Sequence, residues 1–508
     1  MSTTIHLLEE IELAHRFDAY RDAFPAGRGT FLLDGAGAGE HLAGFALLGS
    51  DPIASFRASR TTDRRRDGGL KARVTLAEGG RSFTLAVDDA LEALRMALAK
   101  HAIDPSEYVA RPLPLLAGAV GYVSYEVGQM IERLPCLARP SLGMPDIAFG
   151  FHDWILGLCH RTGRTWLSVV GRGASSSEAR QNAERRRDDV LASIANFEAR
   201  GLARPQASEA KGSVAPSQLR PLLSRDAYLA RIHEAKEHIA AGDTFEICLT
   251  QPFEATADRE RDAPRVWRIL REKNPAPFAA FLDFPEGAVV SSSPERFVRL
   301  DAGRVAESRP IKGTRPRGSS PADDARLIAE LASSTKDRAE NAMIVDLVRN
   351  DLGKICRYGS VTVPELYAVE SYATVHQMVS TIRGELDARR DAVDVLRACF
   401  PPGSMTGAPK IEAMSILERL EIAERGVYSG GLGFFDFSGT LDLSVVIRTA
   451  VFREGRAQVH VGGAIVDDSE PNAEYEETLQ KVRALASAFR ELERLETSAL
   501  VPAAEVHA

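Results

Sequence analysis

Seven apolar runs between residues 246 and 466 limit the architectures open to this chain. They read EICLTQPFE, FAAFLDF, AVVSSS, RFVRL, GGLGFFDF, LDLSVVIRTAVF and AQVHVGGAIV. Each is rich in the β-branched and aromatic residues that fit a pleated, half-buried surface, and several are joined by short Gly- or Asp-containing turns of the hairpin kind. Helical patterns are interspersed with them. One covers 225–241, with Ser224 as N-cap and Gly242 just past the end. Others cover 336–350 and 473–493, the latter with Leu479, Val482, Ala486 and Phe489 on one face. Strand groups interspersed with helices predict an α+β chain, a layered α/β sandwich on large, mostly antiparallel sheets.

The 508 residues are enough for two to four domains or one large one. Residues 1–200 mix strand-like runs (FALLGS, VTLAEG, DIAFGF, TWLSVVG) with helical patterns near 88–101 and 175–199. The stretch 201–223 is rich in Ala, Ser, Gly and Pro and reads as a linker. Residues 224–495 carry most of the signals, and 496–508 form a tail. A net charge of −8 leaves no electrostatic footprint for nucleic acid. Five dispersed cysteines without a C-x-x-C argue against a disulfide framework or a structural zinc. No signal peptide and no membrane-spanning stretch is visible, so the expected compartment is the cytoplasm.

Two acidic pairs share one spacing. Asp337 and Glu340 in TKDRAENAM, and Glu474 and Glu477 in NAEYEETLQ, are each three apart on a predicted helix. Such pairs lie on one helix face, so each helix can offer two carboxylates to one point. That donor set suits a hard cation such as Mg²⁺, although acids at this spacing also make ordinary solvated faces. Glu295, in SSSPERF, follows a strand whose apolar character predicts burial, which raises a carboxyl pKa toward that of a general acid.

Other segments suit an anion. PPGSMTGAPK (401–410) places small residues, the Thr406 hydroxyl and Lys410 ahead of a helix, whose first N–H groups bind carboxylates. Arg448 interrupts an apolar strand pattern and is costly there unless it meets a carboxylate. Gly462 and Gly463 open a strand to close backbone approach. RPIKGTRPRG (309–318) sets Lys312 between Pro310 and Gly313, with the glycine on the wrong side for a phosphate loop.

Taken in order, AGDTFEICLTQPF, SSSPERFVR, RPIKGTRPRG, KDRAENAMIVDLVRNDLGKIC, TVHQMVSTIRGEL, FPPGSMTGAPKIEAM, RGVYSGGLGFFDF, DLSVVIRTAVF and VGGAIVDDSEPNAEYEET resemble the chorismate-utilising enzymes. That family includes anthranilate synthase component I, aminodeoxychorismate synthase component I, and the isochorismate and salicylate synthases. The resemblance covers about residues 224–485 and is weaker before them. It implies the chorismate-utilising enzyme fold, with Glu295 as general acid for loss of the C4 hydroxyl. It implies Glu340 and Glu477 as direct Mg²⁺ ligands, with Asp337 and Glu474 near the metal. It makes Thr406, Tyr428, Arg448, His376, Lys481 and the Gly462–Gly463 amides chorismate-positioning groups. Glu246, also in the substrate pocket, stands where the water-adding isochorismate synthases carry a lysine base.

P-I-K-G-T resembles the aminodeoxychorismate synthase branch, whereas members that put nitrogen on C2 carry a small residue at the position of Lys312. The resemblance implies that Lys312 attacks C2 and that ammonia then displaces it from C4, giving 4-amino-4-deoxychorismate for 4-aminobenzoate and folate synthesis. The alternative is anthranilate synthase component I. Nucleophilic attack requires a neutral amine, so a depressed Lys312 pKa is expected, helped by Arg309, Arg315 and Arg317 if they face it. No cysteine sits in a glycine-flanked nucleophile elbow. Ammonia is therefore expected from glutamine through a separate amidotransferase subunit, with a separate lyase acting next. Tryptophan-inhibited relatives use L-L-E-S and N-P-S-P-Y, where this chain has LLDG (32–35) and NPAPF (274–278); loss of the serine hydroxyl at Gly35 weighs against an amino-acid effector and leaves open an amino acid retained as a structural ligand.

Overall fold

The computed structural model describes residues 3–36, 42, 44–201 and 215–500, with side chains to 496. Most of the expected linker, 202–214, and of the tail, 501–508, lies outside the described residues. The predicted strands pair into two sheets of twelve strands, each antiparallel throughout: eleven in a row, with Gly407–Ala408 added against Glu246–Thr256 in the first and Thr362–Ser371 against Val375–Glu385 in the second. The first runs in spatial order Thr3–Ile11, Thr165–Gly173, Trp154–Cys159, Phe45–Gly49, Thr30–Asp34, Phe278–Phe284, Gly287–Ser293, Thr449–Arg453, Arg456–Ile465, Glu246–Thr256 and Arg220–Pro221. The second runs from Ile311–Pro316 at one edge through Val375–Glu385, Val305–Arg309, Arg296–Leu300, Leu441–Val445, Gly431–Asp436, Gly118–Val123 and Ile147–His152 to Ala54–Arg64, Leu70–Glu78 and Arg81–Val87. Each sheet therefore draws strands from both 1–200 and 224–495.

The two sheets pack face to face. Phe31, Leu47, Ala280 and Val289 of the first meet Phe56, Val120, Phe149 and Phe435 of the second in one buried cluster. Alternate residues of the first sheet, such as Leu32, Leu48 and Phe281, point the other way. There they pack under the helices Ser176–Arg200, Arg259–Lys273 and Pro471–Leu500. The helices Ala90–Lys100, Thr335–Gly353 and Ala392–Cys399 pack on the second sheet. The result is the layered α+β sandwich that the sequence predicts.

Local signals place several elements closely. The helix Arg225–Ala241 begins where the Ser224 hydroxyl accepts from the Ala227 N–H, and it ends at Gly242 in the left-handed region (φ +83°). Among the described residues no helix is long and apolar enough to cross a membrane.

Two departures from the sequence reading matter for the site. LDLSVVIRTAVF is not one strand. It breaks into Leu441–Val445 in the second sheet and Thr449–Arg453 in the first, and Val446–Arg448 cross between them. RPIKGT, which is not among the expected strands, is extended. Ile311–Pro316 is an edge strand of the second sheet, with a register shift between Ile311 and Thr314. Gly313 at φ +85° takes up the irregularity, and a Cβ there would lie 2.9 Å from Asp337 side-chain atoms.

Candidate functional site

The site forms where the chain changes sheets. Pro294 and Glu295 join the strand Gly287–Ser293 of the first sheet to Arg296–Leu300 of the second, and Val446–Arg448 make the reverse crossing. The crossings are tied together. The Val445 N–H donates to the Glu295 carbonyl at 3.0 Å, the Ser292 N–H to the Arg448 carbonyl at 3.1 Å, and the Ser293 hydroxyl to the Val445 carbonyl at 2.6 Å. Antiparallel partners cannot continue through a crossing, so these backbone groups bond across it instead.

Glu295 is buried, and its Oε1 accepts from the Ser404 hydroxyl at 2.8 Å. Burial pushes its carboxyl up to about 7, against the opposing pull of Ser404, Lys312 and a backbone N–H of Ile311. The sequence-based expectation for Glu295 thus matches its environment. Ser404 was not singled out in the sequence.

Lys312 and Glu246 meet across the two sheets, Nζ to Oε1 at 2.6 Å, with the Glu246 side chain fully buried and that of Lys312 10% exposed. Glu246 Oε2 has no hydrogen-bond partner among the described residues. The expected depression of the Lys312 pKa is overturned. Burial alone pulls it down, but the Glu246 and Glu340 carboxylates outweigh burial and raise it. Nor do the neighbouring arginines face it. Arg309 pairs with Glu370, Arg315 with Glu330 and Asp337, and Arg317 with Asp324.

Arg448 sits at φ +53°, a strained value for a residue other than glycine. Among the described residues its guanidinium has no carboxylate within ion-pair distance, and burial lowers its pKa. The carboxylate that the sequence reading demands is not intramolecular. Gly462 and Gly463 lie in the strand Arg456–Ile465. A Cβ on Gly462 would lie 2.2 Å from the Leu249 carbonyl oxygen, so that glycine serves the pairing of strands. A Cβ on Gly463 would point at Glu474 Oε2 (3.3 Å) and Glu477 Oε1 (3.8 Å). Lys481 donates to the Gly462 carbonyl at 2.8 Å and pairs with Glu477 at 2.6 Å.

The four candidate metal ligands do not all converge. Glu474 and Glu477 share the Gly463 face. Lys336 Nζ lies 3.9 Å from both Glu340 Oε1 and Glu474 Oε1, which brings Glu340 to the same neighbourhood. Asp337 stands apart, paired with Arg315 at 3.0 Å. Among the described residues no three acidic, His or Cys side chains form a ready-made metal cage. The donor chemistry nevertheless fits a hard cation. Burial raises Glu340 to about 7 and raises Glu474 as well; Lys312 and, less, the half-exposed Lys336 oppose it at Glu340, and the Ser469 hydroxyl (2.7 Å) and Lys336 oppose it at Glu474. Burial would also raise Glu477, but the Lys481 ammonium holds it below its ordinary value.

The remaining expected groups divide. Tyr428 is buried, with its ring stacked on His460 at 5.5 Å. Thr406 is buried and donates from its hydroxyl to the Gly403 carbonyl at 3.1 Å, while its own carbonyl accepts from the Cys248 N–H. His376 has both ring nitrogens engaged, with Ser371 and Asp324, each at 2.8 Å. Lys410 is spent on Asp351 (2.6 Å) and on the carbonyls of Cys399 and Pro401, so it holds the 399–410 loop rather than facing the site. Arg425, which the sequence reading missed, is a buried post. It bonds Glu421 twice and the carbonyls of Met405 and Cys248, linking the Thr406 loop to the strand Glu246–Thr256. The LLDG and NPAPF stretches meet around a separate cavity of about 780 Å³. There His160 and Arg271 hold the Asp34 carboxylate.

Several known proteins are similar to this chain. An aminodeoxychorismate synthase from Streptomyces pristinaespiralis is 40% identical over 486 residues, covering 93% of this chain. The chain spans 63% of that relative's length. Aminodeoxychorismate synthase component 1 from Klebsiella aerogenes is 40% identical over 408 residues, covering 80% of this chain and 84% of the relative. The solved anthranilate synthase component I from Streptococcus pneumoniae superposes with a TM-score of 0.69 at 27% identity, over 87% of this chain and 92% of the other. The menaquinone-specific isochorismate synthase from Escherichia coli shares the fold, with a TM-score of 0.67 at 16% identity, over 97% and 95%. The profile of the chorismate binding enzymes matches residues 52–487, and the chain belongs to that family.

Proposed function

We propose that the chain aminates chorismate at C4 with ammonia, giving 4-amino-4-deoxychorismate. The observation that carries this reading is Lys312, buried between the sheets against Glu246 and coupled electrostatically to Glu295 and Glu340. A solvated lysine on a basic turn has no such setting. Relatives named aminodeoxychorismate synthase, at 36–41% identity over most of the chain, support the same branch.

The residues divide the work as follows. The Lys312 ammonium passes one proton to Glu246 Oε1, 2.6 Å away, and becomes a nucleophile. Its amine attacks C2 as the ring double bond shifts and the C4–oxygen bond breaks. Glu295, protonated near neutral pH, gives its proton to the departing oxygen, which leaves as water. Ammonia then attacks C4, the double bond shifts back, and lysine leaves C2 as the amine. It regains its proton from Glu246, and Glu295 is reprotonated from solvent. Two allylic displacements put nitrogen where one attack at C2 does not. Arg448, lacking an internal carboxylate, is the natural partner for one of chorismate's, with the Gly463 amide and Tyr428 beside it. Glu340, Glu474 and Glu477 would hold Mg²⁺, which would supply a hard positive charge for the ring carboxylate and offset charge as the hydroxyl departs. Asp337 and His376, engaged with Arg315 and with Asp324 and Ser371, support these elements from behind.

Ammonia from glutamine through a partner amidotransferase, and a lyase that converts the product to 4-aminobenzoate, complete the reading. The test is incubation with chorismate, Mg²⁺ and ammonium chloride, followed by lyase treatment and identification of the aromatic isomer. 4-Aminobenzoate is expected, with a chorismate-derived adduct on Lys312 by mass spectrometry. A second reading, amination at C2, is favoured by 39% identity to an anthranilate synthase component 1 from Streptomyces coelicolor. Fluorescent anthranilate from the same incubation would establish it and sink the first.

A further inference from the structure

The strand Arg81–Val87 ends the second sheet, at the opposite end from Lys312. All of it but Val87 is exposed, including Phe83 (59%) and Leu85 (56%). Among the described residues it pairs with Leu70–Glu78 alone. The other sheet ends are blunted by devices common on natural edges. Ile311–Pro316 has a register shift and a terminal proline. Arg220–Pro221 is two residues long, and one of them is proline. Thr3–Ile11 carries Glu9 and Glu10 and packs Leu7 and Ile11 under the helix Ser176–Arg200. Arg81–Val87 has no proline and no acid, and its register is regular throughout.

The hairpin fixes which backbone groups of this strand are free. Glu78 and Arg81 are partners across a two-residue loop, Gly79-Gly80, with both glycines at positive φ (+56° and +74°). Such a loop closes on a hydrogen-bonded pair, and bonded and non-bonded pairs alternate from there. Arg81, Phe83, Leu85 and Val87 therefore bond inward to Leu70–Glu78. The N–H and C=O groups of Ser82, Thr84 and Ala86 point to the open edge. Side chains alternate as well. Phe83 and Leu85 lie opposite Leu76 and Val74, on the face that carries the helix Ala90–Lys100.

We propose that this edge pairs antiparallel with the same edge of a second copy of the chain, about a twofold axis through Thr84. In that register Thr84 meets Thr84 and Ser82 meets Ala86. Every outward backbone group of both strands then finds a partner, in about six hydrogen bonds. Centring the axis on Phe83 or Leu85 leaves outward groups unpaired. The Thr84 register also sets Phe83 against Leu85 of the second copy as a non-bonded pair, with Cα atoms about 4.5 Å apart and both side chains on one face. The exposed apolar side chains of each copy thus cover those of the other, flanked by the two Ala90–Lys100 helices. Arg81 comes opposite Val87, so no like charges meet. A single strand edge belongs to the class of interfaces below about 1,200 Å², which associate weakly. Lys312 stands at the far end of each sheet, so pairing leaves both sites open and does not rest on the amination reading.

Sedimentation equilibrium of the full chain tests this. Wild type should pass from monomer to dimer across the micromolar range. Thr84→Pro removes a central outward N–H and leaves the bonds to Leu70–Glu78 in place. Phe83→Lys puts a cation into the apolar pair. Each should weaken dimerisation at least about tenfold, the worth of roughly one or two hydrogen bonds or one apolar contact, while the dilute protein melts as wild type does. Phe83 is exposed, so that variant still decides the matter if Thr84→Pro fails to fold. Amide exchange at Ser82, Thr84 and Ala86 should slow as the wild-type concentration rises. A wild type that stays monomeric throughout, a dimer that both variants keep, or a dimer without slowed exchange at those amides overturns the proposal.

Discussion

Lys312→Ala should cost stability as well as activity, and the two losses can be separated. At 2.6 Å, and with an effective dielectric of about 20, the Lys312–Glu246 attraction is about 6 kcal/mol before the cost of burying both charges is subtracted. Removing one partner leaves the other charge buried and unpaired, which typically costs about 3–5 kcal/mol. Unfolding entropy of about 2.1 cal/mol/K per residue makes 1 kcal/mol worth about 1 °C in a cooperative unit of this length. Lys312→Ala should therefore melt about 3–5 °C below wild type. Adding Glu246→Gln removes the stranded charge and should return most of that loss. Product formation should not return, because the nucleophile is still absent. Differential scanning calorimetry and the product assay on the same preparations check both halves. If Lys312→Ala melts with wild type, the pair is not buried as described. If the stable double variant makes 4-amino-4-deoxychorismate, lysine is not the nucleophile.

In the proposed reaction Glu295 must be protonated to act, and burial holds its carboxyl near 7, so kcat should fall as pH rises through about 7. Glu295→Gln should abolish that limb and lower kcat by about 10²–10⁴-fold. Ser404→Ala removes a hydrogen bond that favours the carboxylate, so the limb should move to higher pH, as a pH–rate profile would show. Arg448→Ala deletes a buried guanidinium without an internal ion pair. It should leave the melting temperature unchanged or higher, while weakening chorismate binding by about 10–150-fold, the worth of a hydrogen bond to a charged group at about 1.5–3 kcal/mol. Chelation with EDTA should stop chorismate consumption and Mg²⁺ should restore it. Lys336→Met should tighten Mg²⁺ in calorimetric titration, since the Lys336 ammonium now shares Glu340 and Glu474.

The elements with strong local signals were legible. FAAFLDF and RFVRL are strands to the residue, and the helix from Arg225 starts and stops at its Ser and Gly caps. What sequence patterns did not carry is which sheet a strand joins. LDLSVVIRTAVF has one continuous apolar character, yet three residues of it pass between sheets, because each half is buried against a different partner. The helix Arg259–Lys273 was overlooked although Asp258 caps it and Val266, Trp267 and Leu270 form a buried stripe. Its internal Pro264 and many charges mask that pattern. At the site, residue types were legible and pairings were not. Lys410, Arg309 and Arg317 carry the right charge for an anion, and each is satisfied by an acid of this chain that no spacing rule links to it.

On the proposed reading, those pairings decide how the site would meet chorismate. Glu246, Glu340, Glu474 and Glu477 face Lys312, Lys336 and Lys481, so the pocket is close to balanced before anything binds. Chorismate brings two carboxylates, and a divalent cation brings two positive charges, so the pair adds no net charge to a place where net charge is costly. Either one alone would have to be compensated by protonation or by displaced lysines. Arg448 is the exception in the balance, a cation held in strained backbone at the crossing between sheets with no acid of its own. On the proposed reading its position would fix which end of the pocket receives a substrate carboxylate, and Glu340, Glu474 and Glu477 would fix the other. Lys312 and Glu295 lie on the opposed edge and crossing between those ends. On the proposed reaction, the chain's two sheet crossings would set the orientation of the ring, and with it the carbon that the lysine amine can reach.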